Sequence, residues 1–164
     1  SDIMESNLQV IYDEVSKLMS EDGYEKSTAV LTILKILLNT KEYSDMLKTQ
    51  VNEIKKDNKI DTKDFPSLFV ILTESKDFIS DTLNDSTIVK SSINGESLKY
   101  IIYGSMYYAL LETNTDKETT DMLMGMFLPL WKILKINPDK IANEAQSLFK
   151  RLQNCCDCCS CCKC

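Results

Sequence analysis

The sequence predicts an all-α protein, a compact bundle of six to seven helices over residues 1–153 followed by a flexible Cys-rich C-terminal tail over 154–164. Three observations predict it. Apolar residues recur three and four positions apart in stretch after stretch, the period of a helix with one buried face. Four Gly and three Pro in 164 residues supply too few turns for a strand-rich sandwich. The length suits one domain that buries most of its apolar surface, and 43% apolar with 27% charged residues is ordinary for a globular chain.

Residues 2–21 give the first helix, with Leu8, Ile11, Val15, Leu18 and Met19 at helical spacing, Asp13, Glu14 and Lys17 between them, and a stop near Gly23. The second follows a Ser27 cap and carries Ala29, Val30, Leu31, Ile33, Leu34, Ile36, Leu37 and Leu38. Apolar on nearly every face, it is expected to be the buried central helix. About ten apolar residues interrupted by Lys35 fall well short of the roughly 20 that a bilayer span needs. Tyr43, Met46, Leu47, Gln50, Val51 and Ile54 stripe a third helix that ends in the polar residues 55–59. Asp57 and Asp61 suggest a calcium loop, but Lys59 and Lys63 occupy would-be ligand positions, and the central Gly and terminal Glu are missing. Calcium is rejected there.

Asp64, Phe65 and Pro66 open a fourth helix, because Pro fits the first turn and Asp can accept from unpaired amides. Its buried face is Leu68, Ile71, Leu72, Phe78, Ile79 and Leu83. Residues 84–96 read as a mobile loop with a short helical turn at 87–90, closing on Asn94 and Gly95. Leu98, Ile101, Ile102, Met106, Ala109 and Leu110 continue as a fifth helix. Its Tyr100, Tyr103, Tyr107 and Tyr108 are expected to pack their rings and keep their hydroxyls at the rim, in preference to lining a ligand site.

Thr115 and Glu118 have the spacing of a capping box, which starts the sixth helix. Pro129 inside it predicts a kink near Gly125 or a break into two pieces. Met122, Met124 and Met126 beside Trp131 are a candidate groove for an amphipathic partner helix, weighed against ordinary core packing. Asn137 and Pro138 then cap a seventh helix with Ile141, Ala145, Leu148 and Leu152, which runs into the cysteines. The core is expected mainly from residues 29–38, 68–83, 98–111 and 122–134.

Several chemistries are disfavoured. The chain has no His, which removes the usual general base, the Ser and Cys triads and His-containing metal sites. Gly23, Gly95, Gly104 and Gly125 make no phosphate-cradling loop. Carboxylate pairs such as Asp13 with Glu14, or Asp116 with Glu118, fall on polar faces or caps, where nothing tunes them for acid or base work. The expectation is no enzyme and no cofactor. Net charge is −6, with six Lys or Arg against three acids in residues 132–164 and 13 against 22 in the rest. That acidic body, without a basic stripe, disfavours nucleic acid. Asp2 and Glu5 stand where a secretory signal would be basic and apolar, so cytoplasmic synthesis is expected, and the glycosylation triplet at Asn84 is discounted. Residues 1–3 precede Met4 and read as a processing product or an added segment.

All seven cysteines, Cys155, Cys156, Cys158, Cys159, Cys161, Cys162 and Cys164, fall in the last ten residues. S-acylation fits their surroundings best: Lys150 and Arg151 lie just upstream, and Phe149 and Leu152 give an apolar edge. Two or more acyl chains anchor a protein stably, at about 0.8 kcal/mol per buried methylene. Two alternatives stay open. Pairs two residues apart, such as Cys155 with Cys158, suit a Zn or Cu(I) thiolate site, although no residues remain to build a folded loop between pairs. Adjacent thiols rarely bond each other, so intermolecular disulfides are the easier cross-link. An idle tail is the bland reading. The ending Cys162, Lys163, Cys164 resembles that of doubly prenylated small GTPases, whose motifs are absent.

The helix start Lys63, Asp64, Phe65, Pro66, Ser67, Leu68, the two strongly apolar helices and the basic Cys-rich end resemble small all-helical proteins of large nucleocytoplasmic DNA viruses. That resemblance implies a virion-associated or host-interacting role. Viral bundles of the apoptosis-regulator type share the length, but their Asn-Trp-Gly-Arg signature is absent around Trp131. The expected protein is thus a non-enzymatic structural or interaction domain. It is cytoplasmic, peripheral to a membrane or part of a virion, with a protein partner and scope for self-association.

Overall fold

The helical periodicity becomes six α-helices in a computed structural model that describes residues 2–59, 61–85 and 95–134. They are α1 (Asp2–Glu21), α2 (Ser27–Leu38), α3 (Lys41–Lys55), α4 (Phe65–Asp85), α5 (Gly95–Glu112) and α6 (Lys117–Leu134), with a 3₁₀ turn at Thr62–Asp64. No strand occurs among the described residues. The expected helical turn at 87–90, the seventh helix and the cysteine tail lie outside them.

α1 ends as its sequence asks. Gly23 takes φ +69°, its amide reaches the Ser20 carbonyl at 3.1 Å and the Tyr24 amide reaches Met19 at 2.8 Å, the paired bonds of a glycine-terminated helix. Leu8, Ile11, Val15 and Met19 are buried, and Leu18 packs partly against them.

The central helix is α5, where α2 was expected. α5 packs against each of the other five α-helices. Eleven of its residues are buried, among them Ser97, Gly104, Ser105 and Ala109. α2 buries Val30, Ile33, Leu34, Leu37 and Leu38 but leaves Ile36 41% exposed. The difference is steric, because neighbours can close on a helix that presents small residues. A Cβ on Gly104 would stand 2.8 Å from Leu34 Cδ2 and 2.9 Å from Val15 Cγ2, so α1 and α2 approach α5 only because that atom is missing.

Five local expectations change. Lys26, not Ser27, is the residue before α2, and no side chain caps that end. Asp64 is buried and turns back, its Oδ2 accepting the Asp61 amide at 2.9 Å, so it closes the 3₁₀ turn ahead of α4. Asp116, not Thr115, caps α6, accepting the Thr119 amide at 2.7 Å. Thr115 Oγ1 instead accepts from Lys55 Nζ at 2.8 Å. α6 is not broken by Pro129: it is one helix to Leu134, and Gly125, four residues earlier, lies exposed, where water can serve the carbonyl that Pro129 cannot. The loop at 84–96 is also shortened from both sides, since α4 continues to Asp85 and α5 starts at Gly95.

Candidate functional site

The cysteines named from the sequence, Cys155 to Cys164, lie outside the described residues. The proposed groove residues do not share a surface. Met124 and Trp131 are buried at 6% and 4% exposure, with the Trp131 ring 5.8 Å from that of Phe127. Met122 is 48% exposed on another side of α6, and Met126 borders a small void with Leu68, Leu72 and Met106. A residue step of two turns a helix through more than half a revolution, which separates Met122 and Met126 from Met124.

Where α3 and α5 end and α6 begins, the chain forms a cleft of about 360 Å³. Lys55 anchors its inner wall, donating to the Thr113 carbonyl at 2.8 Å and to the Thr113 and Thr115 hydroxyls at 3.2 and 2.8 Å. The ammonium thus sits on the last carbonyls of α5, where the helix dipole favours a cation. Asn58 and Asn114 both take left-handed φ values, 59° and 53°, and both line the cleft. At Asn114 this ends α5: its amide reaches Leu111 at 3.1 Å and the Thr115 amide reaches Leu110 at 3.0 Å. The sequence signal for this corner was available, as an Asn shortly after each helical stripe.

The cleft is polar, with Lys59 and Glu118 in its lining. Its capping Asp116 is held below the usual carboxylate range by hydrogen bonds from Thr119, so near neutral pH it is an anion with little basicity. No group of three or more His, Cys, Asp or Glu side chains that could hold a metal ion exists among the described residues. The cleft can hold water and small polar solutes.

The tyrosines behave largely as core. Tyr43 is fully buried, its hydroxyl 2.9 Å from Ser75 Oγ and 2.7 Å from Ser105 Oγ. Ser105 spends its own proton on the Ile101 carbonyl at 2.8 Å, so the phenol donates to Ser105 and Ser75 must donate to the phenol. Burial pushes the Tyr43 phenol up to about 12, which keeps it neutral and structural. Tyr100 is also buried, and its hydroxyl reaches the rim by donating to Asp22 Oδ2 at 2.7 Å. Tyr24 pairs with Ser97 beside it, and Lys99 bridges Asp22 and Glu96 at 3.7 and 2.9 Å.

Tyr103 and Tyr107 differ. Both are only half-buried on α5, which packs against α1 and α6. The Tyr103 ring lies 6.4 Å from Tyr107 and 5.9 Å from Phe127 of α6. Its phenol is pushed up by burial and then by the charges of Glu14, Asp121 and Glu21 and by Tyr107, and that of Tyr107 by burial, Glu14 and Asp121. Glu14 of α1 and Asp121 of α6 thus act on both phenols, with Asp121 paired to Lys117 at 2.7 Å. The chain matches no protein-family model, no curated protein and no solved structure.

Proposed function

We propose that this chain is a non-enzymatic structural or protein-interaction domain, held on a membrane by S-acylation of its cysteine tail. The observation that carries the reading is the confinement of all seven cysteines to the last ten residues, directly behind Lys150 and Arg151. Clustered thiols beside basic and apolar side chains suit transfer of several acyl chains, and several chains give stable attachment. Among the described residues no helix is long and apolar enough to cross a membrane. In this reading the acyl chains supply the attachment. The resemblance to small helical proteins of large DNA viruses extends the proposal to a cytoplasmic, membrane-peripheral or virion-associated role with a protein partner.

The test is the intact mass of the full chain from its natural source, with and without hydroxylamine. Loss of acyl mass on treatment supports the reading; free thiols on a protein that stays in the soluble fraction overturn it. The two-residue spacing of the cysteine pairs favours a second reading, a Zn or Cu(I) thiolate tail. Stoichiometric metal after reducing purification, lost when residues 154–164 are removed, supports that one, whereas intermolecular disulfide ladders that collapse with reductant indicate a cross-linked particle component.

A further inference from the structure

We infer that the cleft at the ends of α3 and α5 is a binding site for a small zwitterion, an α-amino acid with an apolar side chain. At about 360 Å³ it stands at the small end of ligand clefts, which run from about 300 to 1,000 Å³. Its charges are divided by element. Lys55 and Lys59 come from the end of α3 and the residues after it, and Asp116 and Glu118 from the start of α6. Two of the four are already engaged: Lys55 donates to Thr113 and Thr115, and Asp116 accepts the Thr119 amide while the Lys55 charge bears on it. The other two are not. The Lys59 ammonium and the Glu118 carboxylate line the same cleft, yet among the described residues neither side chain forms an ion pair or a hydrogen bond.

These charges select the ligand's chemistry. A simple anion meets one uncommitted ammonium and two carboxylates, and a simple cation meets two ammonium groups. A neutral solute leaves both uncommitted charges to water. A molecule that carries a carboxylate and an ammonium a short span apart satisfies Lys59 and Glu118 together, and an α-amino acid is a small molecule of that kind. Asn58 and Asn114 add side-chain amides that can donate to its carboxylate. Met122, 48% exposed, gives the cleft an apolar edge on which an aliphatic side chain is shielded from water. The walls are set before a ligand arrives, since the three Lys55 bonds tie the end of α3 to the residues that follow α5, and a fixed wall lowers the ordering cost of binding. The site uses no residue of the cysteine tail, so it stands or falls separately from the membrane reading.

Titration of the full, reduced chain with L-leucine and with L-methionine tests this, read from backbone amide NMR shifts at residues 55–59 and 113–119. Saturable shifts in those segments with at least one of the two are expected. N-acetyl-L-leucine, which lacks the ammonium, and L-leucinamide, which lacks the carboxylate, should each bind about fivefold more weakly than leucine, the loss of one exposed ion pair. Lys59→Gln should weaken leucine by about the same factor and leave leucinamide unchanged, whereas Glu118→Gln should weaken leucine and leave N-acetyl-L-leucine unchanged. Both side chains are exposed, and circular dichroism of each variant establishes that the bundle still folds. Absence of saturable shifts with both amino acids overturns the inference. Equal binding of leucine and either analogue overturns it too, as does leucine binding that neither substitution weakens.

Discussion

α2 and α5 are both strongly apolar helices, yet only one is surrounded. α2 carries the higher share of aliphatic side chains, and it still shows Ile36 and Lys35 to solvent. α5 holds four tyrosines, three of its buried positions are Ser97, Gly104 and Ser105, and every other helix packs on it. Apolarity decides whether a helix buries a face. How many neighbours it collects depends on how closely they can approach, and on whether the polar groups trapped inside find partners. α5 meets both conditions, with Gly104 at the α1 and α2 contacts and with Ser105 taking the Tyr43 proton while giving its own to Ile101.

The contrast breaks first at α2 itself. Leu34→Ala removes a fully buried side chain that touches the Gly104 contact and is expected to cost about 2–5 kcal/mol, whereas Ile36→Ala two residues on should stay within about 0.5 kcal/mol. Urea midpoints of the two variants measure the gap, and equal losses would mean that α2 is enclosed after all. Next, Gly104→Ala adds the one methyl the α1 and α2 contacts cannot hold, with an expected loss of about 1–3 kcal/mol despite the better helix propensity of Ala. In a Leu34→Val background the same change should cost less, because the atom 2.8 Å away has been withdrawn. Additive losses would place the strain elsewhere.

The smallest effect concerns the buried hydroxyls. Tyr43→Phe keeps the ring, which stands edge-on 5.1 Å from Phe78, and removes the oxygen shared with Ser75 and Ser105. The expected loss is about 1–2 kcal/mol, the cost of leaving a buried partner unsatisfied. It has a pH signature. The phenol titrates near 10.0 when unfolded and at about 12 when folded, so the folded state holds the proton more tightly. Its contribution is complete below pH 10 and is lost as pH rises through 12. Stability of the parent chain should therefore fall across that window more steeply than that of Tyr43→Phe; identical slopes would refute the assignment.

Much of the fold was legible because helical periodicity is a local property. The stripes Leu8, Ile11, Val15 and Tyr43, Leu47, Val51, Ile54 mark their buried faces without any knowledge of what lies opposite. Caps were read less well: Ser27 caps nothing, Asp64 turns back to the Asp61 amide, and Thr115 has a tertiary partner. Lys55 arrives at Thr115 from another helix, sixty positions away, and no short-range pattern announces it. The candidate groove residues on α6 divide between faces, Met124 and Trp131 buried and Met122 exposed, because a step of two residues turns a helix through more than half a revolution. The Lys55 corner, by contrast, draws on residues at the ends of α3, α5 and α6.

The sequence by itself determined that this is a helical protein without histidine, with its thiols gathered at one end and its acids on the body, because residue type, spacing and charge are properties of the chain alone. Only the tertiary structure decided which helix stands at the centre and which hydroxyls pair inside it. Those outcomes depend on interatomic approach across long sequence separations, where one absent Cβ at Gly104 outweighs a run of leucines.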